Sequence, residues 1–198
     1  MAIRKITAPA VTPVTLAEAK AHLNVDFSDD DSLIALYLAS ATDTAQEFMG
    51  RAIVEQTLEL VIDEFPDEGV RLPYPPLVEV VSVYYDREDD GFETPLSDAE
   101  YVVDNASEPG WVVPVTSWPA TIAGINAVRI RYIAGYAAQG SPADYTIGIP
   151  GAIKAAVLLT LGTLYAHRSS VVVGVAPALL PWSAEQLLRQ YRIHTAMA

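Results

Sequence analysis

The spacing of hydrophobic residues changes twice along the chain. In residues 15–49 apolar side chains recur every three or four positions, which predicts amphipathic helices at about 15–23 and 30–49. From residue 53 apolar and polar residues alternate, which predicts strands with one exposed face. A helical segment returns at about 151–166. The pattern therefore predicts a helical core whose two parts are separated in sequence by a β region.

Capping signals mark the ends of the first two helices. Thr15 and Glu18 form a capping box, in which each side chain accepts a hydrogen bond from the backbone of the other residue. Ser28 or Asp29 can cap the second helix in the acidic corner F-S-D-D-D-S. Residues in the left-handed conformation are expected to end the two helices at Asn24 and Gly50.

The β region is predicted to contain several short strands. An extended arm is expected before the first helix, since Pro9 and Pro13 disfavour helix there. Gly91 suits the hairpin loop D-R-E-D-D-G, because glycine adopts a positive φ without strain. Strands at this spacing are typical of a small antiparallel sandwich or a barrel-like domain. The strands are expected at about 54–65, 77–86, 101–103, 111–113 and 127–136.

The third helix is apolar around nearly its whole circumference. A helix without a polar face is buried, either in its own core or against another subunit. The sequence alone does not decide between burial in its own core and burial against another subunit. We predict that the helix makes a subunit contact. The side chains expected in that contact are Ile153, Val157, Leu161, Leu164 and Tyr165.

The C-terminal segment, residues 167–198, is predicted to be a docking arm. Gly174, Pro177 and Pro181 interrupt it, and a second capping box, Ser183 to Gln186, opens a helix of about ten residues. So short a helix is marginal alone in water, so it must dock on something. The alternative is that the segment packs across the sheet of its own subunit. The docking side chains are predicted to be Leu179, Leu180, Trp182, Leu187, Leu188, Tyr191 and Arg192.

The predicted fold class is therefore α+β. A small helical core carries an inserted antiparallel β domain and a C-terminal arm with a short helix. The predicted divisions are 1–52 for the N-terminal arm and two helices, 53–136 for the β domain, 137–166 for a linker and the third helix, and 167–198 for the arm.

Charge narrows the classes of partner. The chain of 198 residues has a formal net charge of −13, which disfavours nonspecific binding to DNA and to anionic membranes.

The apolar run 155–166 is too short to span a bilayer, which needs about 20 residues. There is no cysteine, so disulfides, thiolate metal sites and cysteine nucleophiles are excluded.

No catalytic residue, metal ligand or cofactor site is predicted. The acids at 29–31 could bind a cation, but negative charge in a first helical turn explains them better. His22, His167 and His194 lack the spacing of metal ligands, and no phosphate-binding glycine loop or serine-nucleophile motif occurs. Two alternatives remain open: a metal-assisted hydrolase that uses carboxylates of the β region, and a monomeric β-type ligand-binding module.

The order of the segments resembles the gp6-like family of head–tail connector, or adaptor, proteins of tailed phages. Similar proteins occur in prophages and gene transfer agents. The resemblance runs from Val14 to about Arg192. It rests on the segments VTLAEAKAHLNVD, DDSLIALYLASATDTAQEFMGRAI, QTLELVIDEFP, VRIRYIAGY, IPGAIKAAVLLTLGTLYAHR and LLPWSAEQLLRQYR.

The resemblance implies a structural role without catalysis. It implies a homo-oligomeric ring, typically twelvefold, beneath the portal protein in the neck of a virion or phage-like particle assembled in the bacterial cytoplasm. Such a ring continues the DNA channel, through which DNA passes without specific binding. It also offers a surface to a tail-side stopper or tail terminator protein. Carried over to this chain, the resemblance assigns portal docking to the segment from about Ala178 to Arg192.

Overall fold

The computed structural model describes residues 1–137, 144, 147–167 and 180–193. The chain divides into two compact units. The β unit comprises Met1–Ala10 and Glu55–Ala137. The helical unit comprises Val11–Val54 and the chain that follows Ala137.

Four helices form the described part of the helical unit: α1 (Leu16–Leu23), α2 (Asp31–Met49), α3 (Gly151–Ala166) and α4 (Trp182–Arg189). The first three confirm the predicted helices. Helix α3 packs against each of the other three helices. None of the helices in the described ranges has the length and apolarity to cross a bilayer. The core between the helices contains Ile34, Leu38, Ala41, Ala45, Met49, Ile153, Val157, Leu161 and Leu188.

The capping box of α1 is confirmed. The Thr15 amide donates to Oε2 of Glu18 at 2.7 Å, and the Glu18 amide donates to Oγ1 of Thr15 at 3.2 Å. The hydrogen bond from the Thr15 backbone lowers the pKa of Glu18 below its usual value. The left-handed ends are confirmed too, with φ of 56° at Asn24 and 63° at Gly50.

Two other capping predictions are wrong. Asp30 is the N-cap residue of α2 and makes no side-chain capping bond. Its carboxylate instead accepts a hydrogen bond from Tyr165. Helix α4 begins at Trp182, directly after Pro181, so Ser183 lies inside the helix and does not cap it. With Pro181 as its N-cap residue, the helix starts two residues earlier than the capping box predicts.

The β unit contains two antiparallel sheets and confirms the α+β class. The five-stranded sheet has the order β1-β2-β8-β4-β5, and the three-stranded sheet has the order β3-β7-β6. The described strands form no closed barrel. The strands are β1 (Ala2–Thr7), β2 (Gln56–Ile62), β3 (Val70–Arg71), β4 (Leu77–Asp86), β5 (Glu93–Pro95), β6 (Tyr101–Asp104), β7 (Trp111–Pro114) and β8 (Val128–Ala134).

Strand β1 differs from the extended arm that the sequence predicts. It pairs with β2, with Arg4 opposite Glu59, and this pairing puts residues 1–10 in the β unit. Strand β2 also differs, because it has no exposed face: Glu59 and Val61 are 8% and 1% exposed. The reason is its position between β1 and β8, which brings Arg131 to 2.9 Å from the Glu59 carboxylate.

Two aromatic side chains of the β unit donate hydrogen bonds to proline carbonyls. The ring of Phe65 stacks on Trp118 with centroids 4.3 Å apart. The indole nitrogen of Trp118 donates to the carbonyl of Pro66 at 2.9 Å. The buried Tyr132 hydroxyl donates to the carbonyl of Pro73 at 2.8 Å, and burial raises the pKa of that phenol. The bond from Tyr132 satisfies a hydroxyl whose burial would otherwise be costly.

Candidate interaction surfaces

The apolar third helix is largely a core element of its own subunit. Ile153, Val157 and Leu161 are 0% exposed, so in this conformation they leave no surface for a neighbour to contact. The burial has a simple cause, since α3 packs against α1, α2 and α4 of the same chain. Leu164 and Tyr165 are only partly buried. Of the five predicted subunit-contact residues, these two retain surface that a second subunit could touch.

The acidic corner between α1 and α2 ties the helical unit together. The Lys20 ammonium lies 2.6 Å from Oδ1 of Asp31, and the Tyr165 hydroxyl donates to Oδ2 of Asp30 at 2.5 Å. The first contact joins α2 to α1, and the second joins it to α3. Within the described ranges no three metal-ligating side chains come close enough to hold an ion.

The C-terminal helix folds back onto its own chain. Ala184 and Leu188 are 0% exposed. Beyond the helix, the Ile193 amide donates to the carbonyl of Met49 at 2.8 Å. The buried Arg51 donates from Nε to the carbonyl of Tyr191 at 3.1 Å. These contacts fix α4 and the turn after it against the C-terminal end of α2.

Because of this docking, the predicted portal-contact residues differ in how much of their surface a partner could reach. Leu188 belongs to the core of the helical unit, and the Arg192 guanidinium lies 5.2 Å from the Phe48 ring centroid. Leu180, Leu187 and Tyr191 are partly buried. Leu179 lies outside the described residues. Trp182 is 74% exposed at the first residue of α4.

An exposed tryptophan is the most distinctive feature of this surface. Tryptophan has a large apolar area and is enriched among the residues that contribute most to protein interfaces. On the other exposed part of α4, Arg189 pairs with Glu185 at 2.8 Å, four residues earlier in the helix. The described part of the segment therefore presents one large apolar side chain beside a solvated ion pair.

Part of the first half of the chain resembles a known protein family. Residues 13–93 match the model of a family described as phage gp6-like head-tail connector protein. The chain resembles this connector family, as its sequence predicts. The match runs from α1 through the hairpin that follows β4, so it includes strands of the β unit as well as helices. No curated protein matches the chain.

Solved structures share the fold over its full length. One chain in a structure described as the neck of an empty GTA particle computed with C6 symmetry has 20% identity and a TM-score of 0.78. A chain from the virion of a native gene transfer agent particle has 19% identity and a TM-score of 0.77. A chain from the neck of a native GTA particle computed with C12 symmetry has 20% identity and a TM-score of 0.75. Each alignment covers 100% of this chain and 98% of the other.

Proposed function

We propose that this protein is a head–tail adaptor subunit. In this role it forms a ring beneath the portal of a phage-like particle, extends the DNA channel and provides the attachment surface for the tail. The observation that carries the proposal is the full-length fold match to chains of gene transfer agent necks, at TM-scores of 0.75 to 0.78. The connector-family match over residues 13–93 supports it independently.

The ring is proposed to be homo-oligomeric and twelvefold, and to lie in the particle neck after assembly in the bacterial cytoplasm. Related neck structures computed with C6 and C12 symmetry support a ring. Within it, Leu164 and Tyr165 are the subunit-contact candidates that α3 leaves partly exposed. The ring is proposed to bind a stopper or tail terminator protein on its tail side.

Portal docking is proposed to centre on Trp182. Leu180, two residues before Trp182, would extend the contact with its partly exposed apolar surface, and Leu187, farther along α4, is also partly exposed. In this proposal Leu188 has a different role from the one that the sequence predicts. It holds α4 on the helical unit and so positions Trp182 for the portal.

The proposed channel function requires that DNA pass without being held. Tight nonspecific binding needs clustered Lys and Arg that displace counterions from phosphates. This chain has 25 acidic and 12 basic residues. Its charge is therefore consistent with a channel wall that repels DNA. No catalytic role is proposed for the protein.

Electron microscopy of the protein mixed with its portal tests the proposal. We expect a ring coaxial with the portal for the wild-type protein. Trp182→Ala should leave the subunit folded and reduce portal binding about tenfold or more, as substitution of a central aromatic contact does. Phe27→Ala, which removes an aromatic side chain that is 48% exposed in the helical unit, is the matched control. Failure of the wild-type protein to form a ring or to bind the portal would reject the proposed function.

A further inference from the structure

Two loops of the β unit lie side by side at the end of β4. The first is the hairpin loop between β4 and β5, residues 87–92, and the second is the loop 121–127, which precedes β8. Arg87 and Thr121 form an isolated antiparallel bridge between them. Beside this bridge, the Ile122 amide donates to the carbonyl of the last residue of β4 at 3.0 Å. These backbone contacts join the two loops into one surface.

Side-chain hydrogen bonds hold both loops in one shape. Arg129 on β8 donates from Nε to Glu93 at 2.9 Å and from Nη1 to the carbonyl of Asn126 at 3.1 Å. Within the hairpin, the Phe92 amide donates to Oδ1 of Asp90 at 3.0 Å. The subunit itself therefore orders the loops. Such ordering lowers the entropic cost of binding a partner.

The joined loops expose three large apolar side chains, which we call the loop patch. Phe92, Ile122 and Ile125 are 71%, 39% and 82% exposed. A Cβ atom at Gly91 would lie 3.3 Å from Cδ1 of Ile122, so the two loops approach each other closely beside Phe92. Ordered loops that present apolar side chains are typical sites of protein interaction.

The loop patch has an acidic surrounding. Two arginines, Arg87 and Arg129, contact the acids of the hairpin, and each contacts two of them. Five carboxylates and two guanidiniums leave a net charge of −3 after this pairing within the subunit. The five acids are Asp86, Glu88, Asp89, Asp90 and Glu93.

This charge favours a basic protein as the partner. DNA is disfavoured because its phosphates would be repelled. A second copy of the chain is also disfavoured, since at least six of its 12 basic residues already contact acids of their own subunit. Complementary charge across an interface favours the correct partner over others. The loop patch therefore suits a different protein that presents Lys and Arg around an apolar pocket.

We propose that the loop patch binds the tail-side protein of the neck. Phe92 and Ile125 enter an apolar pocket of that protein, and Lys or Arg residues at the pocket's border face the hairpin acids. This inference rests on the proposed function, in which the ring offers an attachment surface to the tail. Portal docking is proposed at Trp182 in the helical unit, whereas the loop patch belongs to the β unit. The two proposed surfaces share no residue, so neither partner competes for the other's contacts.

Titration of purified tail-side protein onto rings preassembled on portal tests the apolar contact. Phe92→Ala/Ile125→Ala should weaken this binding about tenfold or more. Ring formation and thermal unfolding should stay unchanged, because both side chains are largely exposed. Val102→Ala/Val115→Ala is the matched control, since each valine is 59% exposed in the same unit. Wild-type affinity of the loop-patch variant, or an equal loss in the control, would overturn the inference.

Charge reversal tests the acidic surrounding. Glu88→Lys should weaken binding of the tail-side protein about fivefold at low salt. The difference from wild type should nearly vanish at 1 M salt, where charges are screened beyond about 3 Å. Glu79→Lys makes the same change at an exposed position of β4 and should bind as the wild type does. No loss in Glu88→Lys, or the same loss in both variants, would contradict the proposed charge complementarity.

Photocross-linking in assembled particles identifies the occupant. Phe92→p-benzoylphenylalanine should give a covalent adduct with the tail-side protein when the particles are irradiated. An adduct with portal, with DNA or with a second copy of this chain would overturn the inference, as would the absence of any adduct in tailed particles. Each of these results leaves the proposed function intact. Failure of the wild-type protein to form a ring or to bind portal would reject both proposals.

Discussion

At the residue scale, one hydroxyl joins α3 to the start of α2. The Tyr165 hydroxyl donates to Asp30 at 2.5 Å across 135 positions of sequence. Tyr165→Phe should lower the free energy of unfolding by about 1–2 kcal/mol, since the lost bond is to a partly buried carboxylate. Urea unfolding measures this loss. Tyr84→Phe is the control, because no hydroxyl partner for Tyr84 is found among the described residues. Equal stability of the two variants would contradict the assigned role.

Glu18 should make stability depend on pH in the acidic range. The hydrogen bond from the Thr15 backbone lowers the pKa of Glu18, so the folded state favours the ionised carboxylate. This stabilisation is fully present above the usual glutamate pKa of about 4.3 and is lost as the pH falls through the lower folded pKa. Glu18→Gln should therefore be less stable than the wild type at pH 7 and approach it in acid. Unfolding curves between pH 2 and 7 check this, and parallel pH profiles would contradict it.

Residue-level predictions succeeded where the signal is local. The Thr15–Glu18 box and the left-handed Asn24 and Gly50 depend on three or four neighbouring residues, and the structure confirms all of them. The cap of α2 is predicted wrongly: the helix begins at Asp31, so its N-cap is Asp30, and the Asp30 carboxylate accepts a hydrogen bond from a tyrosine that is distant in sequence. No local pattern carries that information.

At the element scale, α4 has an inner face and an exposed start. Leu188→Ala should lower the free energy of unfolding by about 2–5 kcal/mol, because Leu188 is 0% exposed. Trp182→Ala should change that free energy by less than about 0.5 kcal/mol, because the side chain is 74% exposed. Thermal and urea unfolding of both variants compares them. A large stability loss in Trp182→Ala would mean that the tryptophan packs within the subunit and is not available to a partner.

The element boundaries also show what a sequence pattern can specify. Strand β4 was predicted at its observed bounds, since its alternating pattern is long and ends in a clear turn. Strand β1 was missed because its partner, β2, lies about fifty residues later and prolines follow it closely. For α3 the pattern predicted burial correctly. It did not reveal which surface covers the helix, because nearly every position is apolar.

At the scale of the whole molecule, charge predicts behaviour toward DNA. With a net charge of −13, the protein should show no binding to double-stranded DNA at physiological salt. Fluorescence anisotropy of a labelled duplex, with protein at tens of micromolar, checks this. Salt-sensitive binding at micromolar protein would contradict the proposed passive channel wall, because it would require a basic surface that holds phosphates.

The α+β organisation and the connector resemblance were both accessible from sequence. The same fold occurs in chains with only 19–20% sequence identity, so the order of helices and strands depends on the pattern of residues more than on their identities. The interaction surfaces were less accessible. Exposure of Trp182 and burial of Leu188 depend on how α4 docks on the helical unit, which the local sequence pattern does not specify.

Deletion of the gene from a genome that produces the particle tests the central claim most directly. If the protein joins head to tail, electron micrographs of the deletion strain should show heads and separate tails, and expression of the wild-type protein in trans should restore joined particles. Joined, tailed particles at wild-type numbers in the deletion strain would contradict the account.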